Sequence, residues 1–200
     1  MKSTHPGSKR ALQSRKEATH DRIVEVAARA IRRSGYAGTG VADIMKEAGL
    51  THGGFYAHFA SREALLAEAA DRAGAEAVSL SANIAAAAAP GQSLQEVMRA
   101  YLSQQHLEEV ENGCPVAALG SEMHRQVPEV RHAATRHIKE MIDVVARQLP
   151  DWGTPGAHEQ AMFMVSSMIG TMVMARAVDD LRLSEALRAA ALKHFSEAGK

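Results

Sequence analysis

The chain has 200 residues, 46% hydrophobic and only 4% aromatic, with 23 Lys and Arg balancing 23 Asp and Glu. That length and apolar fraction suit one domain or a small pair with a real core. Abundant Ala, Leu, Met, Arg and Glu with few aromatics favour helices and disfavour sheet. The single cysteine, Cys114, excludes an intrachain disulfide framework and suits a reducing cytosol.

Neutrality hides an asymmetry. Residues 1–66 carry eleven Lys and Arg against six Asp and Glu, and residues 67–200 carry twelve against seventeen. A basic front and an acidic back suit a nucleic-acid reader joined to a different module. The basic N-terminus lacks the apolar segment of a signal peptide. The longest apolar run, Ala161 to Ala175, is short for a membrane span, so a cytoplasmic protein is expected.

In chain order, residues 1–13 read as a flexible basic arm containing Pro6 and Gly7. Lys9, Arg10, Arg15 and Lys16 either follow a DNA backbone or minor groove, or form a solvated tail. A helix is predicted from about Ser14 to Ser34, with Ile23, Ala27, Ala30 and Ile31 on one stripe, stopped by Gly35. Val41 to Ala48 forms a short helix with Asp43 in its first turn. Gly49 makes a turn, and Thr51 caps a second short helix ending near Phe59. Ser61 caps a long helix running towards Ala88, ended by Pro90-Gly91.

Ser93-Leu94-Gln95-Glu96 reads as a capping box for a helix ending near Asn112-Gly113. Pro115 and Pro128 fit the first turns of two further helices, the second ending at Leu149-Pro150. Thr154-Pro155 opens a long apolar helix to about Val178, and Ser184 caps a last one to about Ala198. The expectation is an all-α protein of about nine helices. Residues 14–60 form a helix-turn-helix DNA-binding domain. Residues 61–200 form a C-terminal regulatory and dimerisation domain, with 61–88 as the linking helix.

Residues 40–66 carry the chemistry. Gly49 permits the reversal between two short helices. Gly53 and Gly54 leave the N-terminal face of the second helix bare, so its backbone can approach DNA. Two adjacent glycines each cost roughly 1 kcal/mol in a helix interior, which calls for such a reason. Thr51, His52, Tyr56 and His58 supply hydrogen-bonding groups where a helix N-terminus already favours phosphate.

On these residues the segment 15–66 resembles the N-terminal domain of the TetR/AcrR family. The matching pieces are Ile23-Val24, Gly35-Tyr36, Val41-Ala42-Asp43-Ile44, Ala48-Gly49-Leu50-Thr51, Gly53, Phe55-Tyr56, His58-Phe59 and Ser61-Arg62-Glu63-Ala64-Leu65. The resemblance implies phosphate contacts from Tyr56, His58 and Arg62, the last standing where Lys is more frequent. It implies that Thr51, His52 and Gly53 face base edges or the adjacent backbone, and that Thr39 lies near a phosphate. Gly40 and Gly54 depart from the family pattern, which more often has a hydroxyl residue at both places. The later helices match the family's C-terminal domain only in number and length.

The resemblance also implies a homodimer reading a palindromic double-stranded DNA operator, its recognition helices about 34–36 Å apart, released by a small-molecule effector. Val165, Met168, Met172 and Ala175 form one stripe on the long apolar helix, suited to a dimer seam or to the intrachain core. Candidate pocket walls are Tyr101, Leu102, Gln105, His106, Met123, Met141 and Trp152. Cys114, at an expected helix cap, is a candidate redox or electrophile sensor, giving a thiol-based repressor as an alternative; a helical interaction module without DNA binding is another. His132 and His137 are five apart, on roughly opposite helix faces, so no metal site is expected. No nucleophile–base pair or cofactor motif points to an enzyme.

Overall fold

The computed structural model describes residues 6–198, with side chains placed for residues 13–196. Among the described residues it is all-α: nine α-helices and two 3-10 turns. The first helix, α1 (Pro6–Ser34), starts well before Ser14. Residues 9–17 are mostly strong helix formers and Pro6 suits a first helical position, so nothing breaks the helix earlier. The expected flexible arm is thus helical from Pro6 on, and its remainder, residues 1–5, lies outside the described residues.

Helix α2 (Val41–Glu47) ends at Gly49 (φ +71) in a Schellman arrangement. The Leu50 N–H donates to the Met45 carbonyl at 2.8 Å and the Gly49 N–H to that of Lys46 at 3.0 Å. A 3-10 turn, His52–Ala57, follows where a short α-helix was expected. Gly53 and Gly54 hold the chain weakly in an α-helix, and Gly54 N–H closes a tighter ring on the Thr51 carbonyl at 3.0 Å.

Helix α3 (Arg62–Ala87) is capped as expected, the Ser61 hydroxyl accepting from the Ala64 N–H at 3.1 Å. The segment read as one helix after Pro90 is broken. It forms α4 (Ser93–Tyr101), α5 (Gln104–Glu108) and a 3-10 turn at Val110–Asn112. Ser103 causes the break by capping α5, its hydroxyl accepting from the His106 N–H at 3.1 Å. The capping box does not form: Ser93 is itself helical, and Glu96 pairs with Arg99.

Helices α6 (Pro115–Met123), α7 (Pro128–Ala146) and α8 (Pro155–Ala177) each start on proline. Helix α9 (Leu181–Ala198) starts before Ser184. Asp180 takes the capping role, accepting from the Arg182 and Leu183 N–H groups at 2.9 and 3.2 Å. Ser184 is buried and donates to the Ala175 carbonyl at 2.8 Å, tying α9 to α8.

Two cores hold the chain. The first joins the expected stripe of α1 (Ile23, Ala27, Ala30, Ile31) to Ile44, Met45, Phe55 and Phe59, and to Leu65, Leu66, Ala69, Ala70 and Ala73 of α3. Leu119 of α6 and Val130 and Ala133 of α7 close it. The second gathers α4, the start of α6, the end of α7, the inner face of α8 and Phe195. Between them α3 and α7 pack closely at Gly74, where a Cβ would lie 2.3 Å from the His137 ring. That ring bridges the helices, Nε2 on Asp71 at 2.6 Å and Nδ1 on Glu140 at 2.7 Å.

Candidate DNA interface and effector cavity

The turn and its flanks present a bare, polar ledge. Phe55 is buried and anchors it, stacked on Phe59 with ring centroids 5.6 Å apart. The next residue, Tyr56, therefore points out and is 73% exposed. Thr51, His52 and Gly53 are exposed too. A Cβ at Gly53 would meet nothing within 4 Å, so nothing inside this chain requires glycine there.

His58 is half-buried beside His20 and Phe59, with Nδ1 enclosed and without a partner. Burial, then the nearby His20 and Lys16, hold its imidazole below the ordinary value. Two other residues expected at the DNA have partners inside the chain. Thr39 is 4% exposed and its hydroxyl donates inward, 2.6 Å from the Gly35 carbonyl and 3.3 Å from that of Ala30. It stitches the end of α1 to the loop before α2, so its hydroxyl hydrogen is spent inside the chain. The Arg62 Nη2 donates to the Tyr36 carbonyl and, at 3.1 Å, to that of Thr39. Arg62 thus clamps the same loop through Nη2 while remaining partly exposed.

The end of α1 is also the junction with the second half. Arg32, almost fully buried, meets Glu76 of α3 at 2.8 Å and donates to the Gly113 carbonyl at 3.3 Å. Arg33 bridges Glu47 of α2 and Glu111, both at 2.8 Å. Glu122 of α6 accepts from the Tyr36 N–H at 3.0 Å, and Gly35 (φ +76) leaves room for that carboxylate. Glu122 adds to burial in pushing the Tyr36 phenol up to about 12.

A cavity of about 400 Å³ opens on the other side of Gly113, bounded by α3, α4, α5 and the segment leading into α6. Four of the seven expected walls are there: Tyr101, Gln105, His106 and Met141, joined by Cys114. Three are not. Leu102 is packed into the second core, and Met123 packs against the first. Trp152 is half exposed in the loop before α8, with the Arg147 guanidinium 5.7 Å above its ring. The wall contributed by Ala77, Leu80 and Ile84 was missed; those residues read as ordinary helix and carry no local mark of a cavity.

Cys114 is the N-cap of α6 and is 6% exposed. Its N–H donates to His106 Nε2 at 3.0 Å, which leaves Nδ1 as the protonated nitrogen, donating to the Tyr101 carbonyl at 2.5 Å. Burial keeps this imidazole below its ordinary value, so it is neutral near pH 7. Both ring nitrogens are used in fixing the loop. Among the described residues no group of three or more metal-ligating side chains comes together.

Val165, Met168, Met172 and Ala175 are all buried in the second core, which corrects their assignment to a dimer seam. The opposite face of α8 is the bare one. Met162, Phe163, Val173 and Met174 are 40–60% exposed there, with Ser166, Gly170 and Ala177 between them.

A short helix and a 3-10 turn joined at Gly49, with an exposed polar edge and a helical domain that has its own cavity, fit a helix-turn-helix DNA-binding regulator. Residues 23–69 match the model of the bacterial regulatory proteins of the tetR family. Residues 90–197 match that of the LmrA/YxaF-like transcriptional regulator C-terminal domain. The chain belongs to the TetR family of transcriptional regulators, a non-enzymatic family, with an LmrA/YxaF-like C-terminal domain.

It is 29% identical over 174 residues to the uncharacterized HTH-type transcriptional regulator Rv0196 of Mycobacterium tuberculosis strain H37Rv, an alignment covering 82% of this chain and 88% of that protein. The fold is similar to that of reduced Escherichia coli NemR, at 19% identity and a TM-score of 0.74, covering 90% of this chain and 96% of NemR. A TetR-family regulator from Agrobacterium tumefaciens is similar at 21% identity and the same TM-score, covering 90% and 98%. Among the described residues no helix is long and apolar enough to cross a membrane.

Proposed function

We propose that this chain is a cytoplasmic homodimeric repressor that binds a palindromic operator and leaves it when a small molecule enters the cavity beside Gly113. The observation that carries the DNA-binding part is the exposed ledge of Thr51, His52, Gly53 and Tyr56 on a buried Phe55 anchor. Tyr56 donates to a phosphate, His58 adds a neutral ring contact, and Thr51 and His52 meet base edges. Arg62 acts by holding the loop beneath them. Cavity and ledge are joined through Gly113, Arg32 and the end of α1, so a ligand that displaces Gly113 favours a conformer whose reading edges no longer fit.

A gel shift with the DNA upstream of its own gene, run across a salt series, tests this. The expected result is a sequence-selective complex that weakens steeply with salt. Tyr56→Phe should lower operator affinity about ten-fold, the loss of one charge-assisted hydrogen bond of roughly 1.5 kcal/mol, at unchanged melting temperature. A salt-insensitive or sequence-blind complex counts against the reading and favours an interaction module.

A thiol-sensing version has one observation in its favour: Cys114 lines the cavity, so a reagent that enters meets it. It is otherwise buried. Iodoacetamide or a quinone should then modify Cys114 and release operator; modification with operator affinity unchanged removes this version.

A further inference from the structure

We propose that the cavity takes an apolar carboxylic acid, its hydrocarbon body lying along α3 and α4 and its carboxylate accepting a hydrogen bond from the Tyr101 hydroxyl. The proposal rests on reading the cavity as the effector site and names the ligand class for it.

The walls set the body. Ala77, Leu80 and Ile84 from α3, Val97 and Ala100 from α4 and Met141 from α7 make one apolar wall. A volume of about 400 Å³ suits a small apolar molecule. The charged residues of the lining are partly or fully exposed and already engaged. Glu96 pairs with Arg99, and Glu109 accepts from the Gln105 amide at 3.2 Å.

The other end is short of acceptors. Tyr101 is 7% exposed and lines the cavity, yet its hydroxyl has no hydrogen-bond partner. Leaving such a group buried and unpaired costs about 1–3 kcal/mol, which an arriving acceptor would recover. The neighbouring Cys114 thiol is a weak acceptor and does not complete it. Burial, with Cys114 beside it, holds the phenol well above its usual range, so it remains a donor at neutral pH. His106 cannot serve, since both its nitrogens are spent on the loop.

The positive charge nearby selects an anion over a neutral acceptor. The Arg176 guanidinium donates to the Leu107 carbonyl at 3.2 Å and to that of His106, holding α5. Its Nη2 lies 3.4 Å from the Cβ position of Gly113, and its Nη1 is buried without a partner. Arg176 stays charged, since a guanidinium is not deprotonated in proteins, and its charge is felt at Tyr101 and Cys114. A donor with only a thiol beside it, backed by a fixed cation behind the lining, is the complement of a carboxylate on a hydrocarbon.

The test is calorimetric titration of the full chain with decanoate, decan-1-ol and decylamine, repeated on Tyr101→Phe. Decanoate is expected to bind about ten-fold more tightly than decanol. Tyr101→Phe should remove most of that advantage while leaving decanol affinity within about two-fold and the fold intact by circular dichroism. No decanoate binding, equal binding of the alcohol, a preference for the amine, or full decanoate affinity in Tyr101→Phe would each overturn the proposal. Selective decanoate binding with the operator complex undisturbed would uphold the acid site and overturn the effector reading instead.

Discussion

Replacing Phe163 and Met174 together by aspartate is expected to give a folded monomer that no longer binds operator. Both side chains stand on the bare face of α8, 60% and 54% exposed, and neither belongs to either core. Folding of one chain therefore loses little. In a two-fold interface each change appears twice against the same surface, so four carboxylates meet in one seam. Taking an unpaired carboxylate out of water costs several kcal/mol, enough to dissolve the pair. On the proposed dimeric reading operator binding is lost with it, because two reading edges would have to be held at the spacing of two half-sites. Light scattering reads the mass, a gel shift reads the operator, and a dimer surviving both aspartates would place the seam elsewhere. Met168→Asp is the control with the opposite expectation: Met168 is fully buried, so that change should unfold the chain and not merely separate it.

Gly74→Val is expected to destabilise the chain by about 3 kcal/mol, the upper end for overpacking a closely fitted core. The new Cβ would sit 2.3, 2.5 and 2.8 Å from three atoms of His137. A ring held between Asp71 and Glu140 has no easy direction in which to give way. For a chain of this size the melting temperature should fall by roughly 10 °C. Shortening the opposing side chain with His137→Ala should return part of that loss, and a double-mutant cycle would measure it. Additive effects of the two changes would mean that the helices do not meet as closely as described.

The helix starts on Ser61, Pro115, Pro128 and Thr154-Pro155 were legible in the chain because each rests on local chemistry that acts within one turn. The turn at Gly49 was legible for the same reason. Helix α8 shows where reading stops. It is apolar nearly all round, so periodicity can draw a stripe through Met168 and Met172 but cannot say which side faces the core. Tertiary packing took that stripe inside and left Phe163 and Met174 out. Thr39 and Arg62 show another limit. A hydroxyl and a guanidinium look alike in sequence whether they meet phosphate or a backbone carbonyl, and here the loop between α1 and α2 claims both. The cavity was half legible: Tyr101, Gln105 and His106 are polar or aromatic residues in an apolar context, whereas the α3 wall carries no local mark.

Helix α3 is seated in both cores, its first half covering Ile23 and Ile31 through Leu65, Leu66 and Ala69, its second half lining the cavity. The DNA-reading part is therefore not a cassette. A fragment cut at residue 60 would lose the floor of its own core, and Leu119, Val130 and Ala133 with it. Chimaeras that graft a foreign sensing domain onto this reader should keep α3 whole and bring the α6–α7 face along, or the graft will aggregate before its new effector can be tried.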